Sequence, residues 1–302
     1  MEQLARTVAR VVTPQSVTEG AGVRLRRSFP THALDYPDPF LLFDHFGSEN
    51  PADYLAGFPM HPHRGIETVT YLLAGVVNHR DSIGNAGAIG AGDAQWMTAG
   101  GGIMHEEMPD PRAGELLGFQ LWVNLPAAEK LRAPRYQDIA AAQIPRISPD
   151  PGVTLRVIAG EAGGVRGPVT GISVGPTYLD VELAPRAAVT HSLGNGDQTL
   201  AYLFRGEAAF RRNEPDPEAA VGEAVLLVLP PGGPLQVRAS ERGARYLLIS
   251  GKPLREPIAR YGPLVMNTRS QIEEALRDLR NGTFIRNQPR DDQGSWYMGP
   301  RG

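Results

Sequence analysis

From about residue 23 to residue 250 the chain is a succession of short stretches in which apolar and polar positions alternate. Glu67-Thr-Val-Thr-Tyr-Leu-Leu73, Leu117-Gly-Phe-Gln-Leu-Trp-Val123, Thr154-Leu-Arg-Val-Ile158, Leu200-Ala-Tyr-Leu-Phe204, Ala224-Val-Leu-Leu-Val-Leu229 and Tyr246-Leu-Leu-Ile249 are the clearest, each bounded by Gly, Pro, Asn or Asp. A period of two places successive side chains on opposite faces of a strand, and many short strands between turn residues predict a sandwich or barrel. Two segments break the pattern. Residues 126–140, opening Pro126-Ala-Ala-Glu-Lys-Leu, read as a polar, partly helical, Pro-interrupted connector. Residues 270–281 predict a helix, with Ser270 and Glu273 as a capping box, Ile272, Ala275, Leu276 and Leu279 on one face, and Gly282 as the C-cap. That apolar stripe needs a barrel to pack on, and the tail after about residue 287 is expected to be loosely held.

The two halves also echo one another. Tyr71-Leu-Leu-Ala-Gly75 is matched by Tyr202-Leu-Phe-Arg-Gly206, and the triplets Gly92-Asp93-Ala94 and Gly222-Glu223-Ala224 follow downstream. Two copies of one β-module account for both strand number and length. The chain has 302 residues, where two domains become the usual arrangement. Its 35 Gly and 27 Pro are dispersed, as many tight turns require.

Charge and composition mostly exclude. A net charge of −3 offers no general attraction to nucleic acid or an anionic membrane, and no charged stripe or recognition helix supports direct DNA binding. No run approaches the ~18 apolar residues of a membrane span. Met1 to Pro14 lacks an apolar leader core, so a cytoplasmic address is expected. The chain has no cysteine, so any metal must be held by nitrogen and oxygen.

Histidine placement changes the picture. Six of the seven histidines precede residue 106. His61-Pro62-His63 puts two imidazoles on one face of an extended segment, and His105-Glu106-Glu107 does the same for an imidazole and a carboxylate. Three imidazoles and a carboxylate suit a divalent transition metal and leave two octahedral positions open. Glu67 shares the parity of His61 and His63 and competes with Glu107 as the carboxylate, a choice that spacing leaves open. His79-Arg80-Asp81 reads as a solvated loop, His45 as structural or adjacent to the site, and His32 and His191 belong to no constellation. Gln95 and Met97 share one parity, Gln120, Trp122 and Asn124 another, and either set could face the pocket; Glu67, Met97 and Gln120 are carried as candidate lining residues.

These motifs resemble the pirin family of the cupin superfamily. Gly57-Phe-Pro-Met-His61-Pro-His63-Arg-Gly65-Ile-Glu67-Thr-Val-Thr-Tyr71 is similar to the first cupin motif in its pirin form, and Gly92 through Met108, with Gly100-Gly-Gly-Ile-Met-His105-Glu-Glu107, to the second. Gln120-Leu-Trp-Val-Asn-Leu125, Glu129-Lys130, Pro134-Arg-Tyr136 and Gly262-Pro-Leu-Val-Met-Asn267 extend the likeness over most of the chain.

The resemblance implies an all-β fold of two tandem jelly-roll barrels with a short C-terminal helix packed on a barrel. Residues 1–140 are then the metal-binding barrel, with 1–22 free to pack on the other, and 141–302 a barrel without metal ligands. It implies His61, His63, His105 and Glu107 as ligands, favouring Glu107 over Glu67. Iron(II) is the expected metal; manganese, nickel, zinc and copper fit the same donors. The implied activity is cleavage of a flavonol such as quercetin by O2, with Glu107 as proton acceptor. Family members also act as iron-dependent regulators, so a protein partner in place of turnover is the alternative. Registering the repeat puts Ser192, Gly194, Leu235 and Val237 at the four ligand positions of the second barrel, with His191 one residue out and facing away.

Overall fold

The structure is a computed structural model and describes residues 8–210 and 220–286. Its first barrel is built from β1 (Gln15–Glu19), β2 (Val23–Phe29), β3 (Phe40–Ser48), β4 (Phe58–His63), β5 (Ile66–Ala74), β6 (Val77–Asp81), β7 (Ala86–Ile89), β8 (Ala94–Thr98), β9 (Ile103–Pro109), β10 (Leu116–Asn124) and β11 (Arg135–Ile139). A seven-stranded sheet has the order β11-β8-β5-β10-β3-β2-β1, and a four-stranded sheet the order β4-β9-β6-β7. The segment expected as a polar connector thus contributes β11, which pairs with β8 along its whole length.

The second barrel comprises β12 (Val153–Ala159), β13 (Thr177–Leu183), β14 (Ala188–His191), β15 (Gln198–Phe210), β16 (Val225–Leu229) and β17 (Leu235–Gly251). Here β15 and β17 run unbroken where the first barrel has the successive pairs β5–β6 and β9–β10. Gly75 and Gly206, matched in the repeat, sit at the same corner with φ of 85° and 79°. A Cβ at either would collide with a facing carbonyl, that of Glu115 or Gly243, so the corner requires glycine. Val157, Leu179, Leu203, Leu227 and Leu248 fill this barrel.

Two compact units result, and they are not linear halves. One holds residues 16–27, 40–141 and the stretch from 255 onward; the other holds the stretch up to 15, residues 28–39 and 142–254. The strand Arg10–Val12 hydrogen-bonds to β16 and so belongs with the second barrel. After the second barrel the chain returns to the first unit as β18 (Ala259–Tyr261), β19 (Leu264–Met266) and α1 (Arg269–Asn281). Ile272, Ala275, Leu276 and Leu279 of α1 pack with Leu264, Met266, Phe284 and Met104, the last on β9. Buried Arg64 locks the junction by donating to Asp278 (2.8 Å) and to the Phe284 carbonyl (2.7 Å). A division at 140/141 misses this return because chain order does not say which barrel a terminal stripe will cover.

The helix boundaries agree with the sequence pattern, with one correction. The N-cap is Thr268, and the capping box is formed with Gln271, whose side chain accepts from the Thr268 N–H at 3.0 Å. Glu273 instead meets Arg269 at 3.2 Å, one turn back on the helix. Gly282 ends the helix at φ 69° as expected. The segment after residue 287 lies outside the described residues.

Candidate metal centre

Strands β4 and β9 are antiparallel neighbours, with His61 opposite His105 and His63 opposite Ile103. That pairing brings three imidazoles to one point: their donor nitrogens all lie within 4.8 Å of one another. His61 Nδ1 is 2.9 Å from the Pro59 carbonyl, so it carries the proton and turns Nε2 inward as a lone pair. His61 Nε2 and His63 Nε2 are 3.0 Å apart. Two cis donors on one ion at about 2.1 Å need nearly that separation. Both ring nitrogens of buried His105 have no hydrogen-bond partner. Burial, then the neighbouring imidazoles, hold His63 well below its ordinary pKa. Burial lowers His105 to about 4, against the opposing pull of Glu107. Both rings are therefore neutral at pH 7 and have lone pairs to give, so the donor set fits a divalent metal. Among the described residues this is the one such group.

The carboxylates separate. Glu107 lies two residues from His105 beyond a register shift in β9. Its carboxylate accepts from Thr70 Oγ1 (3.0 Å) and Gln120 Nε2 (3.1 Å), and it is not among the groups whose donor atoms converge with the imidazoles. Glu67 is elsewhere: it accepts from Thr98 (2.7 Å) and Trp96 (3.1 Å), and burial raises its pKa. Parity misled because Gly65, at φ 79°, breaks the strand between His63 and Glu67, and β4 and β5 belong to different sheets. Of the other candidate lining residues, Gln120 faces the cavity, whereas Met97 is fully buried and does not line it.

That cavity has a volume of about 480 Å3, within the usual range for small-molecule sites. Leu42, Phe58 and Trp122 form apolar wall, and Gln120, Asp44, Arg27 and Arg260 supply polar groups. A wider hollow of about 850 Å3 in the second unit contains no imidazole, so size does not make it the rival site. Trp122 meets His63 edge-on, with ring centres 5.2 Å apart. Burial pushes Asp44 up to about 6, opposed by Arg27, which grips both of its oxygens. Arg27, Asp44 and Arg260 were not singled out by the sequence reading, since neither spacing nor motif ties them to the histidines. Lys130 entered the sequence reading only as part of the family-like pair Glu129-Lys130, with no role attached. It is buried, donates to Gly65 O, Asn124 Oδ1 and Val265 O at 2.7–3.0 Å, and so fixes the turn behind His63.

Of the other histidines, His79 and His191 depart from expectation, whereas His45 takes the structural one of its two expected places. His79 is no solvated loop residue: it is buried on β6 opposite Glu107 and stacks on Tyr136 at 5.8 Å. His45 is buried against Phe119 on the sheet face opposite to Asp44, and burial, then Arg26, lowers it to about 3. In the second barrel His191 lies opposite Leu235 as His61 lies opposite His105. It occupies the place of His61 and faces inward, bonded to the Tyr246 hydroxyl at 2.6 Å. Register from Tyr202 missed it because His191 to Tyr202 spans one residue more than His61 to Tyr71. Leu235 and Val237 do stand at the His105 and Glu107 places, since Val237 pairs with Phe210 as Glu107 pairs with His79.

Comparison with known proteins agrees with this architecture. The pirin family model matches residues 22–123, and that of the pirin C-terminal cupin domain matches residues 178–285. Human pirin is 41% identical over 92% of this chain and 93% of its own length. A Pseudomonas aeruginosa protein provisionally named a quercetin 2,3-dioxygenase is 44% identical, over 92% of this chain and 98% of its own. The crystal structure of a quercetin 2,3-dioxygenase from Acinetobacter baumannii superposes with a TM-score of 0.84 at 34% identity, covering 93% of this chain and 99% of that one. With two cupin barrels, three convergent imidazoles in the first and relatives of this closeness along nearly its whole length, the chain belongs to the pirin family.

Proposed function

We propose that the first barrel binds one divalent metal, iron(II), through His61, His63, His105 and Glu107, and that the protein cleaves a flavonol such as quercetin with O2. The observation that supports this most is the meeting of three imidazoles, one with both nitrogens buried and unpartnered, at the wall of a ligand-sized cavity. The dioxygenase names of the Pseudomonas and Acinetobacter relatives favour the reaction.

When bound, the metal supplies Lewis acidity that lowers the pKa of a coordinated hydroxyl, and a meeting point for substrate and O2. The chain does the rest. His61, His63 and His105 give their lone pairs. Glu107, held by Thr70 and Gln120, accepts the proton of the flavonol 3-hydroxyl. Trp122, Leu42 and Phe58 keep water from the ring. Both oxygen atoms enter the opened product, and one ring carbon leaves as carbon monoxide.

The test is anaerobic reconstitution with iron(II), then quercetin turnover followed by flavonol absorbance and carbon monoxide release. A kcat in the ordinary range of about 1–1000 per second, lost in His61→Ala/His63→Ala, is the expected result. Turnover that survives loss of the metal overturns the mechanism. Tight metal binding with only trace turnover transfers the site to the regulatory reading, in which the metal stabilises a surface for a protein partner. Parallel loading with manganese, nickel, zinc and copper identifies the metal that supports turnover.

A further inference from the structure

The second barrel keeps a cavity at its own imidazole. His191, on β14, stands where His61 stands in the first barrel. It lines a cavity of about 450 Å3, close to the volume of the one beside His61 and His63. Leu155, Leu179, Val189 and Leu193 supply its apolar wall. The first three also pack in the core of this barrel, so the cavity reaches inward from the surface to the barrel interior.

The position of two protons gives this imidazole a direction. Tyr246, on β17, is buried, and its hydroxyl lies 2.6 Å from His191 Nε2. Burial raises the pKa of the phenol well above its ordinary value and so keeps it protonated. That hydroxyl has no other partner among the described residues, so a proton on Nε2 would leave the buried O–H with nothing to bond. The hydroxyl therefore donates to Nε2, and the imidazole carries its proton on Nδ1. Burial lowers His191 to about 4, with no contribution from a neighbouring charge, so the ring is neutral at pH 7. Its Nδ1–H has no bond among the described residues and, unlike the nitrogens of His105, is not sealed from the surface. Tyr246 does not line the cavity, which leaves the Nδ1 edge of the ring to face it.

The charged side chains of the lining are Asp150 and Glu161, both exposed. Two acids disfavour an anion, and an N–H donor offers a cation nothing to bind. A neutral acceptor oxygen on an apolar body is what matches this donor and this wall. We propose that the second barrel holds a second ligand site, in which His191 Nδ1–H donates to the carbonyl oxygen of a small uncharged molecule. The apolar body of that molecule lies along Leu155, Leu179 and Val189, and Tyr246 fixes the tautomer of the ring. The site needs no metal and is independent of the chemistry of the first barrel.

The experiment is nitrogen NMR of full-length protein labelled with 15N in its histidine rings, with His191 identified by the resonances that His191→Gln removes. The protein is titrated at neutral pH with 4-fluoroacetophenone, and with 4-fluorobenzoate and 4-fluorobenzylammonium as charged counterparts. In the wild type His191 is expected to carry its proton on Nδ1. The ketone should shift that resonance to saturation with a Kd on the order of 1 mM, ordinary for a molecule of this size. Both charged probes should bind about tenfold more weakly or worse. Leu193→Trp, which fills the cavity and leaves His191 and Tyr246 in place, should weaken the ketone by about tenfold. A proton on Nε2, no shift at His191 with about 10 mM ketone, equal binding of either charged probe, or an unchanged ketone Kd in Leu193→Trp overturns the proposal. So do shifts confined to the histidines of the first barrel, which place the probe in the other cavity. The tautomer and the probe preference are read on the wild type, so the proposal stays testable if a variant fails to fold.

Discussion

The two barrels share a strand plan and differ in what occupies one spot on it. Where the first barrel has His61 facing His105, the second has His191 facing Leu235; where the first has Glu107 beside His79, the second has Val237 beside Phe210. The remaining imidazole of the second barrel is satisfied by Tyr246, while His105 of the first has neither ring nitrogen bonded. A single buried histidine needs one partner to be at rest, and a hydroxyl provides it. Three facing histidines cannot satisfy each other when all are neutral, because each has a lone pair to give and few protons to share. The same fold thus makes a quiet core when the donors are thinned to one, and a metal site when they are kept together.

The sharpest way to break this comparison is to count metal. One ion per chain is expected, and His61→Ala/His63→Ala should weaken binding on the order of a thousandfold or more, read by chelator competition. A second tight ion, or one that survives the double substitution, places a site outside the first barrel.

The next largest effect is the pH dependence of stability from His191. Burial lowers its pKa from the ordinary 6.5 to about 4. Below pH 6.5 the unfolded chain takes up a proton that the folded chain refuses. The contribution is therefore fully present above that pH and is lost as pH falls toward 4, by about 3 kcal/mol in all. Urea unfolding between pH 7 and 4 should show this slope added to those of His45, His63 and His105, and His191→Gln should reduce it by the His191 share. An equal slope in the variant assigns the effect to other groups.

Tyr246→Phe tests the partner directly. It leaves a buried imidazole nitrogen without its hydroxyl and should cost about 1–3 kcal/mol, with metal affinity unchanged because the first barrel is untouched. A loss of metal affinity in this variant shows the barrels to be coupled. The smallest effect is expected for Thr268→Ala, which removes the N-cap of α1 at about 1 kcal/mol. Hydrogen exchange should locate that loss in the first unit, on α1, β18 and β19. Exchange raised equally in the second barrel argues against two separate units.

Much of this protein is legible along the chain because its signals are local. Period two marks the strands, Gly75 and Gly206 mark the same corner in both barrels, Gly282 marks the end of the helix, and two His-containing motifs name the imidazoles. Each depends only on neighbours a few residues away, where backbone geometry leaves little freedom. Tertiary structure decided what depends on which strand lies beside which. The turn at Gly65 puts Glu67 in a different sheet from His61 and His63, so parity failed across a strand break. One extra residue before Tyr202 moved His191 into the place of His61, a shift that only the pairing with Leu235 reveals. His79 became buried because β6 pairs with β9, and Arg260 reached the histidines because the chain returns to the first unit after completing the second barrel. Local conformational preferences act over a few residues and are written in order along the sequence. Burial and the meeting of distant side chains are set by pairing between strands far apart in that order, where one residue of register changes which groups meet.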